Sequence, residues 1–263
     1  MNILEEIIAH KHLEVQQRKE LYPVKLLEQS IYMNTPVVSM CEYIMRKDKS
    51  GIIAEIKRKS PSKDIINNFV DIEQTSIGYM QAGASAISIL TDSQYFGGSN
   101  EDLSIARKFN FCPILRKDFM VDEYQFIEAK SIGADTILLI AAGISSKNCK
   151  QLAAFAHSLG LEVLLEIHNE KEFHSHYNQH VDLVGVNNRN LETFEVSIET
   201  SKQLAAIIPS EVITISESGI SSPEAVQELK GYDFNGFLMG EAFMKYSMPH
   251  VACDEFIKSI NAL

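Results

Sequence analysis

The chain has 263 residues, a length that fits one large α/β barrel or two small domains. Its hydrophobic content of 45% is ordinary for a domain with a sizeable core. With 24 basic and 35 acidic residues the formal charge is −11, which argues against a general nucleic-acid or anionic-membrane surface. A locally basic pocket for a small anion stays compatible with this balance.

The cysteines and the apolar segments indicate a soluble cytoplasmic protein. Four widely spaced cysteines form no C-x-x-C pair, which favours reduced thiols over disulfides or a zinc site. They are Cys41, Cys112, Cys149 and Cys253. Glu5 and Glu6 interrupt the N-terminal apolar stretch, so a secretory signal is not expected. The longest apolar run, 137–144, is far shorter than the roughly 20 residues that span a bilayer.

Two helical segments precede the first strand. Asn2 and Glu5 have the spacing of a capping box, in which each side chain bonds the other residue's backbone N–H. An apolar stripe at helical spacing follows, formed by Ile3, Leu4, Ile7 and Ile8. A second amphipathic stretch covers about 38–47. We therefore expect one domain over 1–263, with a helical extension at 1–48 and a barrel at 49–263.

From residue 51 onward, short β-branched runs alternate with segments of helical spacing. The eight predicted strands are 51–57, 86–90, 112–117, 136–141, 162–167, 183–187, 212–217 and 236–239. Strands that alternate with helices indicate a parallel sheet with right-handed crossovers. Eight repeats in roughly 190 residues predict a closed (β/α)8 TIM barrel. An open doubly wound sheet is the alternative, but no G-x-G-x-x-G motif follows a strand.

Polar residues gather where the predicted strands end, which is the catalytic end of such a barrel. They include Glu55, Lys57, Lys117, Glu166, Asn187, Arg189 and Glu217. Strand alternation places Glu55 and Lys57 on the same face. One polar strand end alone can simply be solvated, but five that converge indicate a site in which charges pair. We expect a dry or cationic setting to lower the pKa of a lysine there toward useful acidity.

The ends of the last two strands carry the pattern of a phosphate site. Ser218-Gly219 follows strand seven, with Ser222-Pro223 at the start of the next helix, and Gly240-Glu241 follows strand eight. Glycine lets an anion approach backbone amides closely, and these two loops are common phosphate sites in barrels. Gly240 could instead serve only a tight turn. If it contacts phosphate, substitution there should chiefly raise KM.

An ordered set of motifs resembles the indole-3-glycerol-phosphate synthase family over nearly the whole chain. The motifs are 55–63 (EIKRKSPSK), 89–92 (ILTD), 96–99 (FGGS), 115–119 (LRKDF), 133–135 (GAD), Glu166 after 163–165, 187–191 (NNRNL), 216–220 (SESGI) and Gly240-Glu241. Departures from the family pattern are Lys59, Asp64 and the stretch 67–71. They bear on closure of the first loop rather than on the chemistry.

The resemblance implies the substrate 1-(2-carboxyphenylamino)-1-deoxyribulose 5-phosphate, which is cyclised, decarboxylated and dehydrated to indole-3-glycerol phosphate without cofactor or metal. It implies Lys117 as the acid of ring closure and Glu166 and Lys57 as the acid–base pair of dehydration, with their division open. Substrate contacts are implied at Glu55, Ser60, Phe119, Asn187, Arg189, Glu217 and Ser218. Phosphate contacts are implied at Ser60, Gly219, Gly240 and Glu241, with the Glu241 amide facing the anion and its carboxylate pointing away.

Other readings remain open at this point. A Schiff-base aldolase of the same fold would use a lysine as nucleophile. Phosphoribosylanthranilate isomerase shares the fold, but its Cys and Asp acid–base pair is not evident in this sequence. A non-catalytic barrel would be expected to lack some of Lys57, Lys117 and Glu166.

His174, His176 and His180 are expected on a solvated helix rather than around a metal, and Cys112 is expected in packing. We expect a monomer that binds a small phosphorylated substrate and neither nucleic acid nor membrane, with contact to other tryptophan-pathway enzymes left open.

Overall fold

The computed structural model describes residues 2–191 and 193–263. Eight parallel strands pair with their sequence neighbours, and the eighth closes the sheet on the first. In chain order, β1 to β8 are Ile52–Ile56, Ala86–Leu90, Ile114–Lys117, Thr136–Ile140, Glu162–Ile167, Leu183–Asn187, Ile213–Glu217 and Gly236–Met239. Each lies within the range that the sequence predicted, and the closed barrel is confirmed.

Helices surround this barrel and cover both its ends. In chain order, α1 to α12 are Ile3–Leu21, Val24–Leu27, Met40–Met45, Ile72–Gln81, Asn100–Phe109, Glu123–Ser131, Ser146–Ser158, Glu170–His176, Glu199–Ala205, Pro223–Lys230, Glu241–Met244 and Pro249–Ala262. Short 3-10 helices occupy Ile31–Asn34 and Ala141–Gly143. The outward-facing strand residues and the helices that follow each strand share one large apolar core. No helix within the described ranges is long and apolar enough to cross a membrane.

The inside of the barrel is apolar at its N-terminal end and polar at the other. Its lower layers consist of Ile53, Ala86, Leu115, Leu138, Leu164, Leu183, Ile215 and Leu238, with Met40 and Ile44 of α3 packed beneath them. Because side chains alternate along a strand, the residue two positions after Ile53 also faces inward, and so do those after Leu115, Leu164 and Ile215. These residues are Glu55, Lys117, Glu166 and Glu217. The polar groups therefore stand on an apolar floor.

The N-terminal extension runs from one end of the barrel to the other. The predicted capping box of α1 is confirmed, with Asn2 and Glu5 bonding each other's backbone N–H at 2.9 and 3.0 Å. α2 and the first 3-10 helix then pack along α6, and α3 closes the opposite end. The sequence predicted two helical segments here, whereas the structure has four, and the second predicted helix is shorter than expected. α2 and the 3-10 helix bury no residue fully, so they lack the apolar stripe that reveals a helix.

Candidate active site

A cavity of about 850 Å³ opens at the C-terminal ends of the strands. The predicted site residues on its wall are Glu55, Lys57, Ser60, Lys117, Phe119, Glu166, Asn187, Arg189, Ser218, Gly219, Gly240 and Glu241. Glu217, the remaining one, lies beneath the wall with 1% of its side chain exposed. Its carboxylate contacts Lys117 there, so the structure brings the whole predicted set to one place.

Two lysines and three carboxylates form the charged centre of the cavity. Lys57 Nζ lies 2.6 Å from Glu55 Oε1. Lys117 Nζ lies 2.5 Å from Glu217 Oε2, 3.7 Å from Glu55 Oε2 and 3.9 Å from Glu166 Oε2. Four strands supply four of these groups, and Lys57 follows directly after β1. Since their mutual distances depend on barrel closure, no single motif defines the cluster.

Lys117 is held in its charged form, contrary to the expectation that its pKa is lowered. Burial alone would lower the pKa of this lysine, but the carboxylates of Glu217, Glu55 and Glu166 outweigh burial and raise it above its ordinary value. The expectation was wrong because it counted the dry setting and not the sum of three nearby negative charges. Lys117 is therefore a proton donor in the resting enzyme and not a free amine.

The surroundings shift the pKa values of two carboxyl groups in this cluster in opposite directions. Burial, reinforced by the charges of Glu166 and Glu55, raises the pKa of Glu217 to about 7 despite the pairing with Lys117. For Glu55, burial is outweighed by Lys57 and Lys117, which lower its pKa. Three carboxylates face two ammonium groups, so one carboxyl group keeps its proton up to near-neutral pH, and the most enclosed of them is Glu217.

Glu166 is fixed on the opposite wall by neighbours from other elements. The Asn187 side-chain amide donates to Glu166 Oε1 at 3.0 Å. The imidazole Nε2 of His168 lies 3.5 Å from the same oxygen. The sequence identified Asn187 but missed His168, which follows β5 without any motif to distinguish it from an ordinary loop residue.

The rest of the cavity wall is largely apolar, as an aromatic ligand requires. It is formed by Leu90, Phe96, Phe119, Leu138 and Ile140 from the barrel and by Ile3, Leu4 and Ile7 from α1. The rings of Phe96 and Phe119 lie 6.0 Å apart in a tilted arrangement. The sequence showed the apolar stripe of α1 but did not assign it to the site, because nothing in the sequence says which surface that stripe covers.

The backbone turns sharply on the predicted phosphate side of the cavity. Ser218 and Gly219 both adopt left-handed conformations, with φ of 65° and 75°. Ser222 caps α10 with Pro223 at its first turn, as predicted. Glu241 places its carboxylate 2.5 Å from Lys63 Nζ in the first loop, so its charge is paired there.

Gly240 has a structural part in addition to those considered in the sequence. Its φ is −123°, so no tight turn demands a glycine. A Cβ at this position would overlap the Glu55 carboxylate. Gly240 is thus needed because Glu55 occupies the space over its Cα, and the link from Gly240 to the charged centre is direct.

The first loop, where the sequence departs from the family pattern, is tied to its neighbours. Lys59 Nζ donates to the Gln94 carbonyl oxygen at 2.7 Å. The Asn67 amide donates to the carbonyl oxygens of Met244 and Tyr246 at 3.2 and 3.1 Å. Lys59 and Asn67 therefore connect this loop to the loop after β2 and to the end of α11.

A buried ion network beneath α1 was missed by the sequence. Lys11 is 1% exposed and its ammonium lies 2.8 Å from Asp92 and 2.9 Å from Asp118. Asp118 also accepts from Thr91 at 2.7 Å and lies 3.2 Å from Arg116. Burial opposes its charge, but Lys11 and Arg116 lower the pKa of Asp118 to about 2. The network anchors α1 beside Lys117, the residue that precedes Asp118.

The histidine segment is not one solvated helix. α8 ends at His176, so His180 lies outside it and contacts His157 instead, with 3.3 Å between the two Nδ1 atoms. His174 is exposed, and His176 Nε2 lies 2.9 Å from the Ile144 carbonyl oxygen. Across residues 2–191 and 193–263, no group of three or more His, Cys, Asp or Glu side chains could hold a metal. Cys112 is buried in the main core just before β3.

Fold and site together define a (β/α)8-barrel enzyme with an acid–base centre at the C-terminal strand ends. The family model for indole-3-glycerol phosphate synthase matches residues 4–256. The chain belongs to the indole-3-glycerol phosphate synthase family, as the sequence predicted.

Comparisons with individual proteins agree with this assignment. An indole-3-glycerol phosphate synthase of Bacteroides thetaiotaomicron is 46% identical over 98% of this chain and 99% of its own length. Those of Caldanaerobacter subterraneus and Polaromonas naphthalenivorans are 40% and 41% identical, over 98% and 97% of this chain and 98% of each relative. A solved structure described as a native KDPGal structure covers 80% of this chain and 92% of its own, with a TM-score of 0.58 and 13% identity, and supports the fold alone.

Proposed function

We infer that this protein is a carboxy-lyase of tryptophan biosynthesis that converts 1-(2-carboxyphenylamino)-1-deoxyribulose 5-phosphate to indole-3-glycerol phosphate, carbon dioxide and water. Family membership over nearly the whole chain supports the reaction. The single structural observation that carries the proposal is the position of Lys117 among three carboxylates at the floor of a cavity with apolar walls. An aromatic, phosphorylated substrate fits such a cavity.

Lys117 supplies the proton for ring closure. As the aromatic carbon attacks the ribulose carbonyl, negative charge develops on the carbonyl oxygen, and a charged ammonium group both stabilises and protonates it. The raised pKa of Lys117 keeps this proton in place until that charge forms. The bond to the carboxylate then breaks, carbon dioxide leaves, and the electron pair of that bond restores the aromaticity of the six-membered ring.

Glu166 and Lys57 carry out the dehydration. One group protonates the departing hydroxyl group and the other removes the proton whose loss completes the aromatic ring. Glu166 is the better base because it is a carboxylate on the wall, held by Asn187. Lys57 is then the acid and also a partner for the substrate carboxylate, while Glu55 fixes its ammonium at 2.6 Å.

The remaining groups bind and orient the substrate. We assign Phe119 to the wall against the aromatic ring, and Asn187, Arg189, Glu217 and Ser218 to the hydroxyl groups and to the catalytic lysines. Ser60, Gly219 and the amides of Gly240 and Glu241 form the phosphate side. Pairing with Lys63 neutralises the Glu241 carboxylate, which would otherwise repel the phosphate. This chemistry uses side-chain acids and bases and calls for no cofactor.

A Schiff-base reaction fits the site less well. It needs a neutral amine as nucleophile, whereas the surroundings of Lys117 hold that amine protonated. Trapping with cyanoborohydride in the presence of substrate separates the two mechanisms, since only a Schiff base gives a covalent adduct.

We propose that residues 1–263 act as one domain, since α1 forms part of the cavity wall and α3 closes the other end of the barrel. The proposed working form is a monomer in the cytoplasm that binds its phosphorylated substrate and neither nucleic acid nor membrane. Contact with other enzymes of the tryptophan pathway is part of the same proposal. The net charge of −11 supports the absence of nucleic-acid binding.

The function is tested by supplying the carboxyphenylamino substrate without added metal and following the fluorescence of the indole product. We expect turnover by the purified protein and loss of indole formation in Glu166→Gln, with carbon dioxide still released. Glu166→Gln keeps the shape of the side chain but cannot take up a proton. If carbon dioxide and indole slow together in this variant, Glu166 serves ring closure and the division proposed above is wrong.

A further inference from the structure

His168 stands next to the base proposed for dehydration and has no part in the reaction as described so far. It follows β5 directly, and 13% of its side chain is exposed. Its Nε2 lies 3.5 Å from Glu166 Oε1, while its Nδ1 lies 3.2 Å from Glu172 Oε2. The same Glu172 oxygen accepts the backbone N–H of His168 at 2.8 Å. The imidazole is thus fixed between two carboxylates.

The partner carboxylate is itself held in place. Glu172 lies in the first turn of α8, and the Asn169 side chain, which caps that helix, donates to its Oε1 at 2.8 Å. His168 therefore has little freedom to turn away from Glu166, because its ring is anchored at the Nδ1 side.

The position between two acceptors determines which form of the ring is favoured. A neutral imidazole carries one N–H, so one of its nitrogens would present a lone pair to a carboxylate. The imidazolium form presents an N–H to both. The charged groups that face this region are Glu166 on β5, Glu172 on α8, Glu217 on β7 and, beyond Glu166, Lys117 on β3. Burial opposes the charge, yet Glu172, Glu166 and Glu217 raise the pKa of His168 above its ordinary value.

We propose that His168 is a positioning residue for Glu166. The Asn187 amide holds Oε1 by a hydrogen bond, and the imidazolium charge attracts the same oxygen across 3.5 Å, which leaves Oε2 for the substrate. This inference rests on the role of Glu166 proposed above.

The experiment measures pH profiles of indole formation and of carbon dioxide release in single turnovers. His168→Leu should lower the rate of indole formation about tenfold at pH 6 and much less at pH 8, because the wild-type imidazole gives up its charge as the pH rises. His168→Gln keeps a polar side chain but cannot be charged, so it should restore the rate at pH 8 and keep the loss at pH 6. Carbon dioxide release should be unchanged in both. His174→Gln, an exposed histidine on α8, is the matched control and should behave as wild type.

The outcomes separate this proposal from the one on which it depends. A rate of His168→Gln equal to that of the wild type at pH 6 overturns the positioning role, whether or not His168→Leu folds. If Glu166→Gln, measured in parallel, forms indole at the wild-type rate, then Glu166 is not the base and the function assigned to it fails. A loss of rate at pH 6 that shrinks at pH 8 in both His168 variants, with Glu166→Gln inactive in dehydration only, supports both proposals.

Discussion

The carboxylate of Glu55 lies directly over the Cα of Gly240, so the charged centre and the predicted phosphate loop share one contact. Glu55 belongs to β1 and Gly240 follows β8, and the two strands meet only because the barrel closes. The same carboxylate lies 2.6 Å from Lys57 and 3.7 Å from Lys117. Any side chain at position 240 therefore acts on both lysines.

Gly240→Ala should lower kcat and leave KM nearly unchanged. The added methyl group forces Glu55 to move, and a displacement of about 1 Å in a catalytic group costs up to roughly 100-fold in rate. The sequence predicted chiefly a higher KM for this position, but alanine keeps the backbone amide that we assign to the phosphate, so we expect the loss of kcat to dominate. Steady-state kinetics of Gly240→Ala against Gly231→Ala, a glycine with φ of −65° at the end of α10, provide the check. A raised KM with unchanged kcat would contradict the link to Glu55 and leave the phosphate contact as the role of Gly240.

Gly219→Ala should behave in the opposite way. Gly219 has a φ of 75°, and a Cβ there would overlap Val196, so the loop after β7 must shift. The phosphate is remote from the bonds that change, so we expect a higher KM and a kcat within about threefold of wild type. Inorganic phosphate should compete with substrate, and its inhibition constant should rise in parallel with KM. Inhibition that is noncompetitive would contradict a phosphate site in this loop.

The raised pKa of Glu217 predicts an unusual dependence of the free energy of unfolding on pH. Its folded-state pKa of about 7 exceeds the ordinary 4.5, so between these values the folded protein binds more protons than the unfolded chain. Its contribution to the free energy of unfolding must then fall as pH rises through this window. Relative to Glu217→Gln, the wild type should lose about 1 to 3 kcal/mol between pH 4.5 and 7.5. Urea denaturation along a pH series measures this, with Glu20→Gln, an exposed glutamate on α1, as control. Parallel curves for wild type and Glu217→Gln would show that Glu217 is ionised throughout.

Lys117→Gln should lower kcat/KM by roughly 10² to 10⁴, the usual effect of losing a general acid. The protein should remain folded, since an uncharged amide can still accept and donate hydrogen bonds among the carboxylates. Lys258→Gln, at an exposed position on α12, controls for the loss of a lysine. Activity within about threefold of wild type would remove Lys117 from the proposed mechanism.

The sequence predicted the elements and the identity of the charged residues because both follow from local patterns. The positions of polar residues at strand ends predicted that Glu55, Lys117, Glu166 and Glu217 meet at one end of the barrel, and all four are there. The sign of the pKa shift of Lys117 was wrong because it depends on distances between β1, β3, β5 and β7. Such distances are a property of the closed barrel and not of any one strand.

Two further features could not be predicted from the sequence, for similar reasons. The need for glycine at 240 comes from a side chain nearly 200 residues earlier in the chain. His180 was expected one turn beyond His176, but the Tyr177 N–H closes the last turn of α8 on Phe173, and the chain leaves the helix there. Spacing alone does not show where a polar helix ends.

The buried ammonium of Lys11 leads to the last prediction, which concerns stability. It lies within 3 Å of Asp92, Asp118 and Glu14, and the first two carboxylates are almost fully buried. Lys11→Met removes the cation that Asp92 and Asp118 share and leaves Asp118 with Arg116 as its cationic partner. Breaking a buried ion pair in this way typically costs about 3–5 kcal/mol.

The pH dependence of this loss distinguishes lost charge from lost packing. In the wild type the pKa of Asp118 is lowered to about 2, so its stabilising contribution is present above its ordinary 3.8 and is lost as pH falls through about 2. Without Lys11 the buried site carries excess negative charge, which protonation of Asp118 relieves. The deficit of Lys11→Met in free energy of unfolding should therefore be largest near pH 7 and shrink toward pH 4. Lys19→Met, which removes an exposed lysine of α1 that pairs with Asp122, should cost less than about 1 kcal/mol at either pH. A deficit of equal size at pH 7 and pH 4 would mean that Lys11 acts through the packing of its methylene chain, and that the ion network does not hold α1 on the barrel.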